Sequence, residues 1–563
     1  MRRAATAALL LVIASCSQAS EPATAPNGSA SATGGAAAGT STVVAATGAE
    51  ANAIACWSAD AAAGEPGITF VDVTDSAGLV EPLTGMRGHA AAWGDVDGDA
   101  IVDLFVGTFA TARTEVYAER GASGPSPDRL LTGDTATFTT STELPESFGR
   151  TSGAVFADLD GDGDLDLVAS RNAGGRDAGE PTAVLENTDQ GFMIAESGID
   201  PSVGGRSVGV VDVDHDGMLD LILVEDRYRG GSSRLYRNVG GLKFEDATES
   251  LGLGTGVDGL GIATGDLNND GNTDVFVAGS NRLFAGTASG LIEIPDAVAA
   301  WDVFGNEDDV SGAAIADVNR DGWLDLVVGH HYNSTLSQGR QVPVRLYLNR
   351  TSAPGDPPIL EDVTEAAGII GLPTKAPHVE LADLDNDGWV DIVTTASASE
   401  GSRPAIFRGI GVEGGLPRFE APVGLGAEQY WVSGPTADVD RDGRLDMLLV
   451  EWEPRLPSLL LRNESASGHW LEVSVGPELG GGIGTRVDVY EAGGAGDVTR
   501  LMGSREIVAS LGYTAGVQQY AHFGLGQVTQ VDVVVRPPQP HDPVTLTLMA
   551  ADQHIRIPNG CVN

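Results

Sequence analysis

The sequence predicts an all-β chain: a seven-bladed β-propeller followed by a small β-rich, sandwich-like domain. Two observations carry this. One nine-residue acidic stretch occurs seven times, with 51 to 66 residues from one copy to the next. Around each copy, short runs alternate apolar and polar residues with period two, which marks strands and not helix. Four short strands with their turns take roughly 40–50 residues, so each repeat fits one propeller blade with a longer loop or two. A β-helix would repeat at a much shorter interval.

The acidic stretch is clearest at 158–166, Asp-Leu-Asp-Gly-Asp-Gly-Asp-Leu-Asp. Carboxylates crowded at positions 1, 3, 5 and 9 repel one another unless a cation sits among them. A tightly turned loop aims alternate side chains at one point, as in the first half of an EF-hand loop. Position 6 supplies the sharp turn, and position 7 offers only its backbone carbonyl, so its side chain is free to vary. The candidate metal ligands are Asp95, Asp97, Asp99, Ile101 and Asp103 in loop 1, and Asp158, Asp160, Asp162, Asp164 and Asp166 in loop 2. Loop 3 has Asp212, Asp214, Asp216, Met218 and Asp220, and loop 4 has Asp266, Asn268, Asp270, Asn272 and Asp274. Loop 5 has Asp317, Asn319, Asp321, Trp323 and Asp325, and loop 6 has Asp383, Asp385, Asp387, Trp389 and Asp391. Loop 7 has Asp438, Asp440, Asp442, Arg444 and Asp446. Position 3 is always Asp or Asn, both oxygen donors, and the scatter at position 7 suits a carbonyl ligand. Position 6 is Gly in six copies; Ala100 makes loop 1 the exception. A hard, all-oxygen donor set fits Ca2+, about seven ions in all; magnesium fits less well because it holds its waters. The alternative is a set of solvated acidic turns without metal.

Composition points the same way. The chain has 33 Lys and Arg against 79 Asp and Glu, a formal charge of −46. That excludes nucleic acid and an anionic membrane surface as partners. The seven loops hold 27 of the acids.

In chain order, the first segment reads as a targeting signal. Arg2 and Arg3 precede an apolar run, 4–13, too short to span a bilayer as a mature helix. It ends in Ile13-Ala14-Ser15-Cys16, which resembles a bacterial lipoprotein signal. The resemblance implies that Cys16 becomes the lipidated first residue, and Ser17 after it implies the outer membrane, on its periplasmic or cell-surface side. An ordinary secretory signal is the alternative. Residues 17–55 are rich in Ala, Ser, Thr and Gly and read as a flexible, disordered tether. The propeller is expected over 56–467 and the second domain over 468–563.

Within each unit, a small-residue strand leads into the acidic loop, as in Ser152-Gly-Ala-Val-Phe-Ala-Asp158, and an apolar strand leaves it. Position 2 is always Val or Leu, and positions 8 and 10 are apolar apart from Thr273. A third strand has the form Leu-Tyr-x-Asn, as in 235–238 and 346–349, with Leu459-Leu-Leu-Arg-Asn463 as a variant. A fourth has the form Phe/Leu-x-Asp-Val/Ala-Thr, as in 244–248 and 360–364. Six such fourth strands lie between successive loops, one more at 68–74 precedes loop 1, and none follows Asn463. The early strand is therefore expected to complete the last blade and remove an open edge.

The Asp-x-Asp-x-Asp-Gly-x-x-Asp loops inside these units resemble FG-GAP/VCBS repeats of integrin-type propellers, over about 68–465. The tail alternates and is punctuated by Gly: His469-Trp-Leu-Glu-Val-Ser-Val475, Gly484-Thr-Arg-Val-Asp-Val-Tyr490, Gln519-Tyr-Ala-His-Phe-Gly-Leu-Gly526 and Val531-Asp-Val-Val-Val535. It resembles the ASPIC/UnbV domain that follows such propellers in cartilage-acidic-protein-like chains. That family usually has Trp-Pro after the Val-x-Val strand; here Arg536-Pro537 stands instead. The resemblance implies adhesion, scaffold or enzyme-attached roles and assigns the tail no activity.

Cys56 and Cys561 flank the folded region, and export would let them pair; two free thiols are the alternative. His330-His331 is expected on a loop just after a strand. His89 and His378 are expected near the innermost strands and the central channel. Tyr430-Trp431 and Trp452 read as packing, with sugar stacking as the alternative. No catalytic motif such as Gly-x-Ser-x-Gly or His-Glu-x-x-His occurs.

The expectation is a non-enzymatic, monomeric, lipid-anchored binding or adhesion platform for a protein or glycan ligand at the cell envelope. The competing expectation is an enzyme, or an enzyme-associated module, for extracellular polysaccharide, with its site in the channel near His89 and His378. A pure assembly factor for another envelope protein is a third.

Overall fold

Period-two runs should form strands, and they do. The computed structural model describes residues 54–59, 67–172, 179–225, 232–295, 297, 309–332, 341, 344–398, 404–422, 425–453, 456–465 and 468–558. Among these, the α-helices are two short ones, Val80–Leu83 and Thr114–Glu119.

Seven of the sheets share one construction. Sheet 1 holds Gly88–Gly94, Asp103–Thr108, Arg129–Asp134 and Thr137–Thr140. Sheet 2 holds Thr151–Ala157, Asp166–Arg171, Ala183–Glu186 and Met193–Ile194, and sheet 3 holds Val208–Val211, Asp220–Leu223, Arg234–Asn238 and Phe244–Asp246. Sheet 4 holds Gly259–Gly265, Asp274–Gly279, Arg282–Thr287 and Gly290–Ile294, and sheet 5 holds Asp309–Ala316, Asp325–Tyr332, Arg345–Asn349 and Leu360–Asp362. Sheet 6 holds Val379–Ala382, Asp391–Ala398, Pro404–Glu413 and Leu416–Glu420, with Leu425–Tyr430 also paired to its second strand. Sheet 7 holds Thr436–Ala437, Asp446–Leu449 and Leu459–Asn463, and its fourth strand is Phe70–Asp72. Neighbouring strands run antiparallel, and each acidic loop turns the first strand into the second.

The sheets follow one another around a closed ring. Six hydrophobic clusters each join two sheets adjacent in chain order, and a seventh joins sheet 7 to sheet 1, packing Val432, Leu448 and Val450 against Trp93 and Leu104. The Trp93 indole donates to the Pro435 carbonyl across that junction, at 3.1 Å. The early strand closes the ring as expected, with Phe70 opposite Asn463 and Asp72 opposite Leu461.

The first strands are small-residue strands because they converge on the axis. A Cβ on Gly261 would stand 2.0 Å from the Ser311 carbonyl oxygen of the next sheet. The Asn that ends the third-strand motif has a job between sheets. Asn238, Asn349 and Asn463 each donate to the position-2 carbonyl of the preceding loop, at 2.7, 2.6 and 2.7 Å.

The tail is a pair of sheets around one core that includes Leu471, Val487, Phe523 and Val533. One sheet orders Leu501–Glu506, Arg486–Glu491, Gln530–Arg536 and Val544–Ala550. The other orders Ile54–Ser58, Gln553–Ile557, His469–Val475 and Ala521–Gly526. Here the structure corrects the expected boundary at 56: Ile54–Ser58 is a strand of the tail, antiparallel to Gln553–Ile557, and the ring begins after it. Cys56 is disulfide-bonded. Its expected partner Cys561, like Cys16 and residues 17–53 of the tether, lies outside the described residues.

Ring and tail belong to one compact unit, 44–563. The tail also sends a hairpin, Ser510–Leu511 and Ala515–Gly516, down the axis of the ring. Ala515 and Gly516 pair in parallel with Ala91 and Ala92 of sheet 1. Gly512 exchanges backbone hydrogen bonds with Ala313 of sheet 5. The Ser510 hydroxyl donates to Val208, the Ser433 hydroxyl donates to Tyr513, and the Tyr513 amide donates to His378 Nδ1 at 3.3 Å. The axis is filled by the chain itself.

Candidate functional site: seven acidic loops on one face of the ring

All seven loops have one backbone. Position 4 lies in the left-handed region throughout: Gly98 at φ 74°, Gly161 at 81°, His215 at 58°, Asn269 at 54°, Arg320 at 60°, Asn386 at 50° and Arg441 at 59°. Position 6 does too, from Gly443 at 80° to Gly163 at 100°, with Ala100 at 67°. Loop 1 was the expected exception and is not one: Ala100 accepts the strained conformation, and its amide donates to Asp95 Oδ2 at 3.0 Å. The equivalent bonds in the other loops span 2.8 to 3.1 Å.

The same comparison assigns the carboxylates different jobs. At position 5, Oδ1 accepts the position-7 amide, as from Ile101 to Asp99 at 2.7 Å and from Arg444 to Asp442 at 3.0 Å. At position 9, both oxygens accept backbone amides. Asp446 Oδ2 takes Val439 N at 3.2 Å and Oδ1 takes Asn463 N at 2.7 Å; Asp103 takes Val96 and Gly133, both at 2.8 Å. This Asp is a strut that ties the loop to the third strand of its sheet, and it is buried in every copy. Its lone pairs leave room for a cation as well.

Five loops bring three carboxylates within 4.8 Å of one another: Asp95, Asp97 and Asp99; Asp158, Asp160 and Asp162; Asp212, Asp214 and Asp220; Asp383, Asp385 and Asp391; Asp438, Asp440 and Asp446. The other two carry Asn268 and Asn319, whose side-chain amides donate to Asp270 and Asp321 at 3.0 and 2.9 Å. Burial pushes Asp103, Asp166 and Asp220 up to about 7, and Asp95 and Asp317 to about 6; neighbouring carboxylates push the same way. Asp274, Asp325, Asp391 and Asp446 are raised well above the usual carboxylate range for the same reasons.

The decisive test of fit is hydrogen bonding. Asp95 Oδ1, Asp214 Oδ1, Asp385 Oδ1 and Asp440 Oδ1 are buried and have no hydrogen-bond partner. Leaving such an oxygen unmatched costs free energy, so clustered carboxylate oxygens of this kind suit a hard cation. Arginines meet part of the charge in three loops: Arg237 bridges Asp214 and Asp216, Arg408 bridges Asp385 and Asp387, and Arg444 pairs with Asp442.

Loops follow the ends of first strands, so they gather on one face of the ring, and the tail docks there. Glu506 accepts the Asp266 amide at 2.8 Å. Arg486 donates to the Gly322 carbonyl at 2.7 Å, the Gly526 amide donates to Asn386 at 2.9 Å, and the Asp438 amide donates to the Tyr520 hydroxyl at 3.1 Å. Nothing in the sequence announced this docking or the hairpin. The one signal was a run of small residues, 509–516, with Gly512 and Gly516 in it and no clean period.

The remaining candidates fall into place. His330 and His331 are not on a loop; both lie in the strand Asp325–Tyr332, which runs on by pairing His330 with Val310 and Tyr332 with Asp309 of the first strand. His89 and His378 do line the axis, at 2% and 0% exposure, packed around the tail hairpin. Trp431 is a packing residue, 1% exposed, with its indole donating to Pro457.

Comparison with known families and chains agrees with this geometry. The FG-GAP-like repeat family matches residues 212–277, 317–394 and 383–449, and the ASPIC and UnbV family matches 480–561. Cartilage acidic protein 1 of Homo sapiens is 26% identical over 423 residues, covering 68% of this chain and 59% of that protein. Its Mus musculus counterpart is 27% identical, covering 68% of this chain and 60% of that protein. The match thus spans about three fifths of the relatives' own length. The solved structure of the V. cholerae biofilm matrix protein Bap1 covers 89% of this chain and 71% of that chain at 12% identity, but its TM-score of 0.30 is too low to carry an argument.

Proposed function

We propose that this chain, which carries FG-GAP-like repeats and an ASPIC/UnbV domain, is a calcium-loaded, exported binding platform with no catalytic activity of its own. FG-GAP repeats and the ASPIC/UnbV domain suggest an extracellular adhesion-type module. The observation that carries calcium is the set of buried carboxylate oxygens without hydrogen-bond partners inside loops of one backbone. The side-chain oxygens at positions 1, 3, 5 and 9, with Asn268 and Asn319 at position 3 of loops 4 and 5, and the position-7 carbonyl would hold the ion. When bound, it supplies neutralising charge and a rigid loop; the sites are built of protein oxygens throughout. Lipidation at Cys16 and the tether at 17–55 would hold the folded unit at the outer membrane. Among the described residues no helix is long and apolar enough to cross a membrane.

The enzyme alternative placed its site in the channel near His89 and His378. Both are buried against the hairpin at 510–516, which favours the platform. The test is capture of a partner from native envelope extracts by the full folded chain, with calcium and with EGTA, alongside a screen for glycan turnover. Calcium-dependent capture without product supports the platform. Turnover lost in a His89→Ala/His378→Ala variant ends it. Metabolic labelling of Cys16 with a fatty acid, against Cys16→Ser, tests the anchor.

A further inference from the structure

We propose that the cleft between acidic loops 4 and 5 and the tail binds an uncharged saccharide, with Trp323 as its stacking face and Tyr490 and Arg536 as its polar contacts. This deepens the platform reading and rests on it, because calcium in loops 4 and 5 would set the walls.

The floor follows from period two. In Arg486–Glu491 the side chains of Val487 and Val489 enter the tail core, so Arg486, Asp488 and Tyr490 stand on the other face of that sheet. Arg486 pairs with Arg536 of the next strand, and Asp488 accepts from both guanidiniums, from Arg486 at 3.0 Å. The walls are loop 4, with Asp270 and Gly271, and loop 5, with Asp321 and Trp323; the turn at 537–543 forms the rim. The cleft holds about 600 Å³, within the roughly 300–1,000 Å³ of small-molecule sites. Every lining residue belongs to a described segment.

Most polar groups here are already engaged. Arg486 also donates to Asn269 and to the Gly322 carbonyl, and Glu506 accepts from the Asp266 amide and the Thr273 hydroxyl. The loop aspartates are left to the metal. Three side chains remain. Arg536 donates to Asp488 through one nitrogen, and its side chain is 41% exposed. The Tyr490 ring packs on Leu501 and Val534, and its hydroxyl has no protein partner among the described residues. Trp323 is half-buried, and no described residue stacks on it. Its counterpart at position 7 of loop 6 behaves differently: Arg320, at position 4 of the loop before, lies 3.6 Å from the Trp389 ring. In loop 4 that position is Asn269, which is held by Arg486 and donates to the Gly322 carbonyl at 3.1 Å. The indole that a preceding loop would cap therefore stays open to the cleft.

Charge favours neither sign of ligand. Loops 4 and 5 are the two with Asn at position 3 and have three acids each, so one calcium ion leaves each at a formal −1. Arg486 and Arg536 offset Asp488 and Glu506. An open indole beside a hydroxyl and a guanidinium suits a sugar ring, which lays its C–H face on the indole and turns its hydroxyls to the polar groups. A peptide finds less here: the floor strand Arg486–Glu491 has a neighbour on each side and offers no edge for strand addition.

The test is calorimetric titration of the calcium-loaded chain with neutral tetrasaccharides of glucose, galactose, mannose and N-acetylglucosamine, and with tetragalacturonate and decaproline as the anionic and peptide arms. At least one neutral tetrasaccharide should bind, and the other two probes should not. Trp323→Ala, which keeps the backbone carbonyl, should weaken that binding about tenfold or more with the melting midpoint unchanged. Trp389→Ala, on the capped indole, should leave the affinity as it is. Tyr490→Phe and Arg536→Gln should each weaken it severalfold, and either decides the matter if Trp323→Ala misfolds. Silence of all four neutral probes overturns the site, and so does tighter binding of tetragalacturonate or decaproline, or undiminished binding by a folded Trp323→Ala. If calcium-dependent capture from envelope extracts persists while the neutral probes stay silent, this site falls and the platform stands; if capture fails too, both fall.

Discussion

Loops 1–3 and loops 5–7 share a backbone and differ in their water. In loop 1, Asp97 and Asp99 are exposed, and in loop 2 Gly161 to Asp164 are exposed. In loop 6, Asp383, Asp385 and Asp391 are all buried, and in loop 7 Asp438 and Asp446 are. Loop 4 stands between, with Glu506 of the tail against it and Asp270 in solvent. The nine residues therefore specify a cage, and the docked tail decides whether that cage is open. Burial raises the repulsion inside a cage without an ion, so the sealed loops should depend on the cation most.

The harshest way to break the comparison is to open the ring. Deleting 68–74 removes the fourth strand of sheet 7 and bares a strand edge beside a sealed loop. Loss of any cooperative melting transition is expected; a deletion that melts like the intact chain would refute the closure.

Chelation comes next. Sites loaded at a hundredfold excess over Kd each add about 2.7 kcal/mol, so EGTA should lower the melting midpoint strongly. Exchange should then separate the two loop classes. Terbium luminescence sensitised by Trp323 and Trp389, at position 7 of loops 5 and 6, should decay slowly on adding chelator, while total metal release shows a fast phase from loops 1–3. Identical midpoints with and without calcium would remove the metal from the account, and a single fast phase would remove the seal.

A subtler effect is acidity. Asp103, Asp166 and Asp220 sit near 7 in the folded chain and would sit near 4 unfolded. A raised carboxyl binds more protons folded than unfolded, so it stabilises at low pH and that gain is lost as pH rises through the folded value. In EGTA, stability should fall between about pH 4 and 7; with calcium, which needs the ionised form, the trend should flatten or reverse. Denaturant melts at pH 5 and 7.5 decide it.

The smallest effect sharpens loop 1. Ala100 holds φ 67° where the other loops have Gly, so Ala100→Gly should stabilise the chain by about 1 kcal/mol. Destabilisation by that change would mean the methyl packs to advantage.

What the sequence reveals is what repeats. The loops, the third-strand Asn and the closing strand at 68–74 recur in one chain, so each copy checks the others. Features that occur once escaped. The hairpin at 510–516 is short, uncharged and without period, and its meaning lies in contacts with residues hundreds of positions away. Ile54–Ser58 straddles the boundary read at 56 between tether and propeller, because it is a strand that only Gln553–Ile557 completes. Ala100 departs from the other loops in residue type but not in backbone, because a steric preference of about 1–2 kcal/mol yields to the hydrogen bonds that define the loop.

The hairpin along the axis also sets a timetable. A ribosome delivers the chain from its N-terminus, and sheets 1 to 6 can form as they emerge, each leaning on the one before. Yet Phe70–Asp72 must wait for Leu459–Asn463, Ile54–Ser58 must wait for Gln553–Ile557, and the axis stays hollow until 510–516 arrives. Until the last hundred residues are out, the molecule is a stack with two free ends. Contacts of such long range make for slow assembly and a long interval of exposed strand edges. Whatever shelters nascent chain should be needed longest here, and a truncation near residue 500 should be recovered as an open, aggregating stack and not as a smaller folded protein.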